Sequence, residues 1–192
     1  MLCQLMVTKV NSFFILRRSI YLESARVSNQ PSPDMSFFKK LFDVHGLPEP
    51  VEPVFPGEDF IELECETVDG PAYAFINKAY HAYPNKLIYA YQVLVELEAI
   101  YIDENGFATE ADVHRLNEVE RDVLDFLRSR NTVHLVGRVN RKQFRDLLIY
   151  IDEPQMNQDE VTEMCDEIMK ERGINFSIEK DEEWNAVGGF LA

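Results

Sequence analysis

Two incompatible periods succeed one another along this chain, and their order constrains the fold more than any other feature. In residues 60–68 every second side chain is apolar (Ile61, Leu63, Cys65) between acidic neighbours (Glu62, Glu64, Glu66), the period of a strand with one buried face. In residues 113–127, Val113, Leu116, Val119, Val123, Leu124 and Leu127 recur at the spacing of an amphipathic helix. A chain that alternates the two patterns belongs to neither the all-helical nor the all-strand class.

The remaining segments extend the alternation. Asp69-Gly70 is a turn dipeptide that joins residues 60–68 to the run at 72–79 as a hairpin. Residues 86–97, with Ile88, Tyr89, Tyr91, Val93 and Val95, read as a strand closed by Asp103-Glu-Asn-Gly106. Thr109-Glu-Ala-Asp112 resembles a capping box at the start of the helix. Residues 132–139 and 144–151 flank Asn140-Arg-Lys-Gln143 as a second hairpin. A second helix is expected over residues 158–172, with Val161, Met164, Cys165, Ile168 and Met169 inward and Gly173 as its stop. Residues 174–179 and 185–191 read as final strands. From residue 86 the order is β-α-β-β-α-β, which predicts an α+β domain of ferredoxin-like, split βαβ type. Its antiparallel sheet would carry two helices on one face, plus an N-terminal hairpin and a C-terminal strand.

Upstream, residues 1–34 differ in composition, with basic Lys9, Arg17, Arg18 and Arg26 against acidic Glu23 and Asp34. The apolar stretch Phe13-Phe-Ile-Leu16 is too short to span a membrane and precedes its arginines, which is the wrong order for a signal peptide. The segment is expected to be a disordered upstream extension ahead of a start at Met35, with an organellar transit peptide as the weaker alternative. Residues 35–57 read as an amphipathic peg (Phe37, Phe38, Leu41, Phe42) followed by an extended arm containing Pro48, Pro50, Pro53 and Pro56. The domain proper is expected over residues 58–192.

Charge decides what such a domain is suited to bind. Against 34 acidic residues stand 19 basic ones, a formal charge of −15, which disfavours direct contact with nucleic-acid backbones and favours basic partners. Cys3, Cys65 and Cys165 form neither a disulfide framework nor a metal knuckle, so a reducing cytoplasm is expected. No GxGxxG, GxxxxGK[ST], GxSxG or HExxH motif occurs, and His45, His81, His114 and His134 never pair at metal-ligand spacing. No catalytic residue, metal or cofactor is therefore assigned.

One local feature departs from the acidic background. Arg138, Arg141, Lys142 and Arg145 give the second hairpin a positive tip, suited to an anion or an acidic peptide. Strict alternation places Arg138 on the strand face of His134, so His134, Arg138, Arg145 and Tyr150 are the candidate ligand-binding residues.

Leu135-Val-Gly-Arg138, Arg145-Asp-Leu-Leu-Ile-Tyr150 and Asp181-Glu-Glu-Trp184 leading into Gly188-Gly-Phe190 together resemble an uncharacterised bacterial domain family. That family is structurally akin to the regulator of ribonuclease activity B, a small acidic protein that binds and inhibits ribonuclease E. The resemblance covers residues 60–191. It implies a compact α+β domain in bacterial cytoplasm and a relative that works by binding protein. It transfers no catalytic residue, and the chain departs from the family pattern at residues 140–143. The leading expectation is an acidic, non-enzymatic regulatory domain that binds a basic protein surface. The alternatives are a small-ligand binder or enzyme using residues 132–151, and self-association through an exposed sheet edge.

Overall fold

The computed structural model describes residues 52–192; the expected leader 1–34 and the amphipathic peg lie outside the described residues. The alternating segment is β1 (Phe60–Thr67), paired antiparallel with β2 (Gly70–Asn77). Thr67 lies opposite Gly70 with Val68 and Asp69 between them, so the turn sits one residue earlier than the Asp69-Gly70 dipeptide suggests. Gly70 has φ +110°, a conformation that closes the hairpin and that side chains other than hydrogen resist. A single 3-10 turn (Lys78–Tyr80) follows, then β3 (Tyr91–Glu98), α1 (Glu110–Arg128), β4 (Val133–Arg141), β5 (Phe144–Ile151), α2 (Gln158–Met169), β6 (Ile174–Lys180) and α3 (Asn185–Leu191).

The six strands form one sheet in the order β1-β2-β4-β5-β3-β6, every neighbouring pair antiparallel. With three helices among the described residues, the domain is α+β. One face carries Val93, Val95 and Leu97 of β3 and Leu147, Ile149 and Ile151 of β5, packed under Leu116, Val123 and Leu127 of α1 and half-buried Met164 and Ile168 of α2. The other carries Ala72, Ala74, Ile76, Leu148 and Tyr150 beneath Trp184, Val187 and Leu191. β5 is covered on both sides, which explains why its run Leu147-Leu-Ile-Tyr-Ile151 lacks polar alternation: all five residues are buried.

Four local expectations change. Residues 185–191 form helix α3 rather than a strand. Asp181 accepts hydrogen bonds from the amides of Asn185 (2.9 Å) and Ala186 (3.0 Å), and Val187 and Leu191, one turn apart, are buried together, which outweighs the poor helix propensity of Gly188 and Gly189. β3 begins at Tyr91, because residues 85–89 fold into turns (Ile88 N–H to Asn85 O, 3.0 Å; Tyr89 N–H to Lys86 O, 3.1 Å) that expose Leu87 and Ile88. Thr109 makes no side-chain cap to α1; Asp112 instead accepts from the Ile100 amide (3.0 Å) and pairs with Arg172 (3.1 Å), both carboxylate and guanidinium being buried. The capping box belongs to α2, where Asn157 and Glu160 exchange hydrogen bonds, and α2 ends at Met169, which is exposed.

One irregularity governs the sheet centre. Leu135 pairs with Ile149 but Gly137 pairs with Leu148, so β4 holds one extra residue there. Gly137 is the residue that lets β2 approach, since a Cβ on it would stand 2.5 Å from the Phe75 carbonyl oxygen and 2.6 Å from Ile76 Cδ1. Gly137→Ala is expected to destabilise the protein by about 2 kcal/mol, the usual scale of overpacking against backbone. Urea denaturation checks it; an unchanged midpoint would mean that β2 and β4 part without cost.

Candidate functional site

The bulge separates the four candidate residues into two pairs. His134 and Tyr150, opposite one another, lie on the α3 face, whereas Arg138, beyond the bulge, and Arg145 lie on the α1 face. Alternation fails for Arg138 because the extra residue reverses the parity of every position after it.

On the α3 face His134 is wholly buried in an aromatic box. Ring centroids of Tyr89, Phe55, Tyr83 and Tyr80 lie 4.1, 4.9, 5.1 and 5.7 Å from the imidazole. Tyr83 donates its proton to the Val54 carbonyl (2.7 Å), so its oxygen accepts from Nε2–H of His134 (3.4 Å). Nδ1 then accepts from the Tyr80 hydroxyl (3.1 Å), and the network assigns the Nε2–H tautomer. Burial pushes the His134 pKa down to about 4 against the opposing pull of Asp152, and raises that of Tyr83 to about 12. Tyr150 stacks on Trp184 (4.0 Å) and donates to Asp181 (2.7 Å), the carboxylate that caps α3. Burial works to raise the Asp181 pKa, but the Ala186 amide, Tyr150 and Asn185 hold it below the ordinary value. Both imidazole nitrogens and the phenol are thus engaged within the protein, tying the arm at Val54 and the helix α3 to the sheet.

On the α1 face Arg138 (2.5 Å) and Arg145 (3.4 Å) share the buried carboxylate of Glu120. Arg145 also donates to Asn117 (2.6 Å) and Asn140 (3.0 Å), and Arg138 lies 5.7 Å over the ring of Phe75. At the hairpin tip Arg141 pairs with Asp146 (2.8 Å) and Glu96, with Asp69 nearby (3.6 Å). Burial raises the Asp146 pKa against the pull of Arg141. The expected positive tip is therefore largely neutralised from within, and Lys142 is the exposed one of its four cations.

The sheet stays open elsewhere. Between α1, the loop at residues 103–108 and the β1–β2 ribbon runs a groove of about 880 Å³, walled by Tyr73, Phe107, Val113 and Phe144 and rimmed by Glu62, Asp103 and Lys142. Tyr73 packs on Phe107 at 5.3 Å, and Phe60 stacks on Phe75 at 4.9 Å on the same sheet face. The sequence carries the signal for the two β2 aromatics: in Ala72-Tyr-Ala-Phe75 the alanines take the core side, which leaves Tyr73 and Phe75 on the other. Among the described residues no three His, Cys, Asp or Glu side chains gather to hold a metal, and no helix is long and apolar enough to cross a membrane.

An α+β domain with a six-stranded antiparallel sheet, closed on one face by two helices and on the other by aromatic residues, is thus the class defined here. Residues 63–192 match the family of unknown function DUF695, and the chain belongs to that family. No curated protein and no solved structure matches it.

Two outcomes follow from the buried polar groups. The unfolded chain protonates His134 near its ordinary pKa of 6.5 while the folded chain resists until about 4, so this contribution to stability is complete above pH 6.5 and lost as pH falls towards 4. Between pH 7 and 4.5 the wild type is expected to lose on the order of 2 kcal/mol more than His134→Gln in urea denaturation; parallel losses would mean that the ring is protonated in the fold. Glu120→Ala strands two guanidiniums and is expected to cost about 3 kcal/mol, partly recovered by adding Arg145→Met, as read by thermal denaturation.

Proposed function

We propose that this domain is a non-enzymatic interaction module that captures a basic protein surface on the sheet face beside α1. The observation that carries the reading is the groove itself, in which Tyr73 lies with the carboxylates Glu62, Asp103 and Glu104, while exposed Phe75 continues the same sheet face, on a chain of charge −15. Aromatic anchors inside a charged rim are the composition of protein-binding surfaces. The polar groups best placed for chemistry in the sequence, His134 and Tyr150, have internal partners.

Two further features support a role by binding. The β4-β5-β3-β6 order with α1 and α2 on one face agrees with a ferredoxin-like split βαβ arrangement, and the family the sequence resembles is akin in structure to the regulator of ribonuclease activity B, a protein that works by binding protein. Cys65 and Cys165 are free thiols, in keeping with a reducing cytoplasm. The rival reading, a small-ligand site on the second hairpin, retains one specific support: Asn140, Arg141, Lys142 and Phe144 are among the residues that line the groove. A metabolite that raises Tm and loses that effect in Lys142→Ala would favour it.

The interaction reading is tested by capture from native lysate with the full chain and with a Tyr73→Ala/Phe75→Ala variant. Charge steering fades as the screening length falls from about 10 Å at 0.1 M salt to about 3 Å at 1 M. A stoichiometric basic polypeptide is expected at low salt, lost at high salt and lost in the variant. Capture that ignores both changes would refute this surface as the binding face.

A further inference from the structure

We infer that the outer edge of β1 takes an extended segment of the basic partner as an added strand, with Lys or Arg at alternate positions opposite Glu62, Glu64 and Glu66; the inference rests on the interaction reading above. Among the described residues no strand lies beyond β1, so it is an edge of the sheet. Which of its backbone groups are free follows from the ladder. The Lys78 amide donates to the Asp59 carbonyl (2.8 Å), and residues 59 and 78 continue the register in which Ile61 meets Ile76 and Leu63 meets Ala74. Odd-numbered residues of β1 therefore bond to β2, and Phe60, Glu62, Glu64 and Glu66 turn their N–H and C=O groups outward. Pro71 agrees: it stands opposite Glu66, where an inward amide is not needed.

The same even residues place their side chains on the face of Tyr73 and Phe75, because Glu62 pairs with Phe75 and Glu64 with Tyr73. An added strand that bonds to their backbones puts its own side chains directly opposite the three exposed glutamates, about 6.8 Å apart along the strand. Its i, i+2 and i+4 positions thus meet carboxylates, and their long apolar stems reach the aromatic face. A second copy of this chain is a poor occupant. Its outward groups also belong to Phe60 and the glutamates, so antiparallel pairing of two β1 edges sets glutamate against glutamate.

The test uses the full chain and two synthetic octapeptides of equal composition, one alternating threonine with lysine and one with the four lysines in a block, read by fluorescence anisotropy at low salt. The alternating peptide is expected to bind about tenfold more tightly, the sum of three cross-strand pairs. Glu64→Pro removes one outward N–H without touching the β1–β2 ladder and is expected to weaken the alternating peptide about fivefold. Should that variant misfold, the wild type decides with two N-methylated alternating peptides, one blocked at its lysines and one at its threonines: one must lose binding and the other keep it. Equal affinity for both methylated peptides, or for the alternating and block peptides, overturns strand addition. If that equal binding is abolished by Tyr73→Ala/Phe75→Ala, the interaction reading stands without it. Absence of binding to every peptide together with an empty lysate capture removes both, and a dimer that Glu64→Pro dissociates assigns the edge to a second copy instead.

Discussion

Between Leu135 and Gly137 strand β4 carries one residue more than β5, and the placement of the polar groups at the sheet centre depends on it. Before the bulge His134 faces the aromatic box; after it Arg138 faces Glu120 and α1. Without the extra residue Arg138 would turn to the other face, whose core is the apolar and aromatic set that includes Ala74, Val139 and Trp184, and away from Glu120. Gly137 completes the device, because the bulged strand also has to lie against the Phe75 carbonyl. A local departure in backbone count therefore decides which charges are neutralised and which rings stack.

Each face then has its own carboxylate hub. Glu120 holds two arginines and thereby ties α1 to both strands of the second hairpin. Asp181 accepts from Tyr150 and from two amides of α3, tying that short helix to β5. Trp184, in a left-handed conformation at φ +60°, donates from its indole to the Tyr89 carbonyl (2.9 Å) and turns the chain from β6 into α3. Such buried polar contacts contribute little net stability against an apolar alternative, but removing one partner is costly, so they select one arrangement among those that hydrophobic burial alone would allow.

Much of this architecture was legible in the residues. The alternation of β1, the heptad-like spacing of α1 and the two hairpins required only periodicity and turn chemistry, and they appear with boundaries shifted by a residue or two. What escaped was set by tertiary contact. Alternation implies a uniform register, and nothing in Leu135-Val-Gly-Arg138 announces the bulge that moves Arg138 to the other face. Gly188 and Gly189 argue against a helix, and the side chain of Asp181, several positions upstream, together with the burial of Val187 and Leu191 reverses that preference. The basic hairpin reads as a site because two of its carboxylate partners, Glu96 on β3 and Glu120 on α1, lie far from it in sequence, whereas Asp146 adjoins Arg145. Whether Tyr73 lines a groove or lies half-buried in the sheet is likewise not set by alternation, since its exposure depends on which strands the helices cover.

That coverage follows from simple dimensions. Helices pack about 10 Å apart and strands about 4.8 Å apart, so two helices side by side cover roughly four strands. This sheet has six, and α1 and α2 lie over the part built from β4, β5, β3 and β6. The β1–β2 ribbon widens the sheet beyond what its helices can cover, which leaves Tyr73 in the groove and Phe60 stacked on exposed Phe75 on the same face. An uncovered ribbon ending in an open edge is an aggregation hazard, and charged residues along the edge are the common remedy. Here the glutamates stand on the exposed face of β1 itself, where they repel a like edge and leave a basic one free to approach. The same three side chains thus oppose self-pairing of the edge, and in the strand-addition proposal they would also select a basic segment over an acidic one.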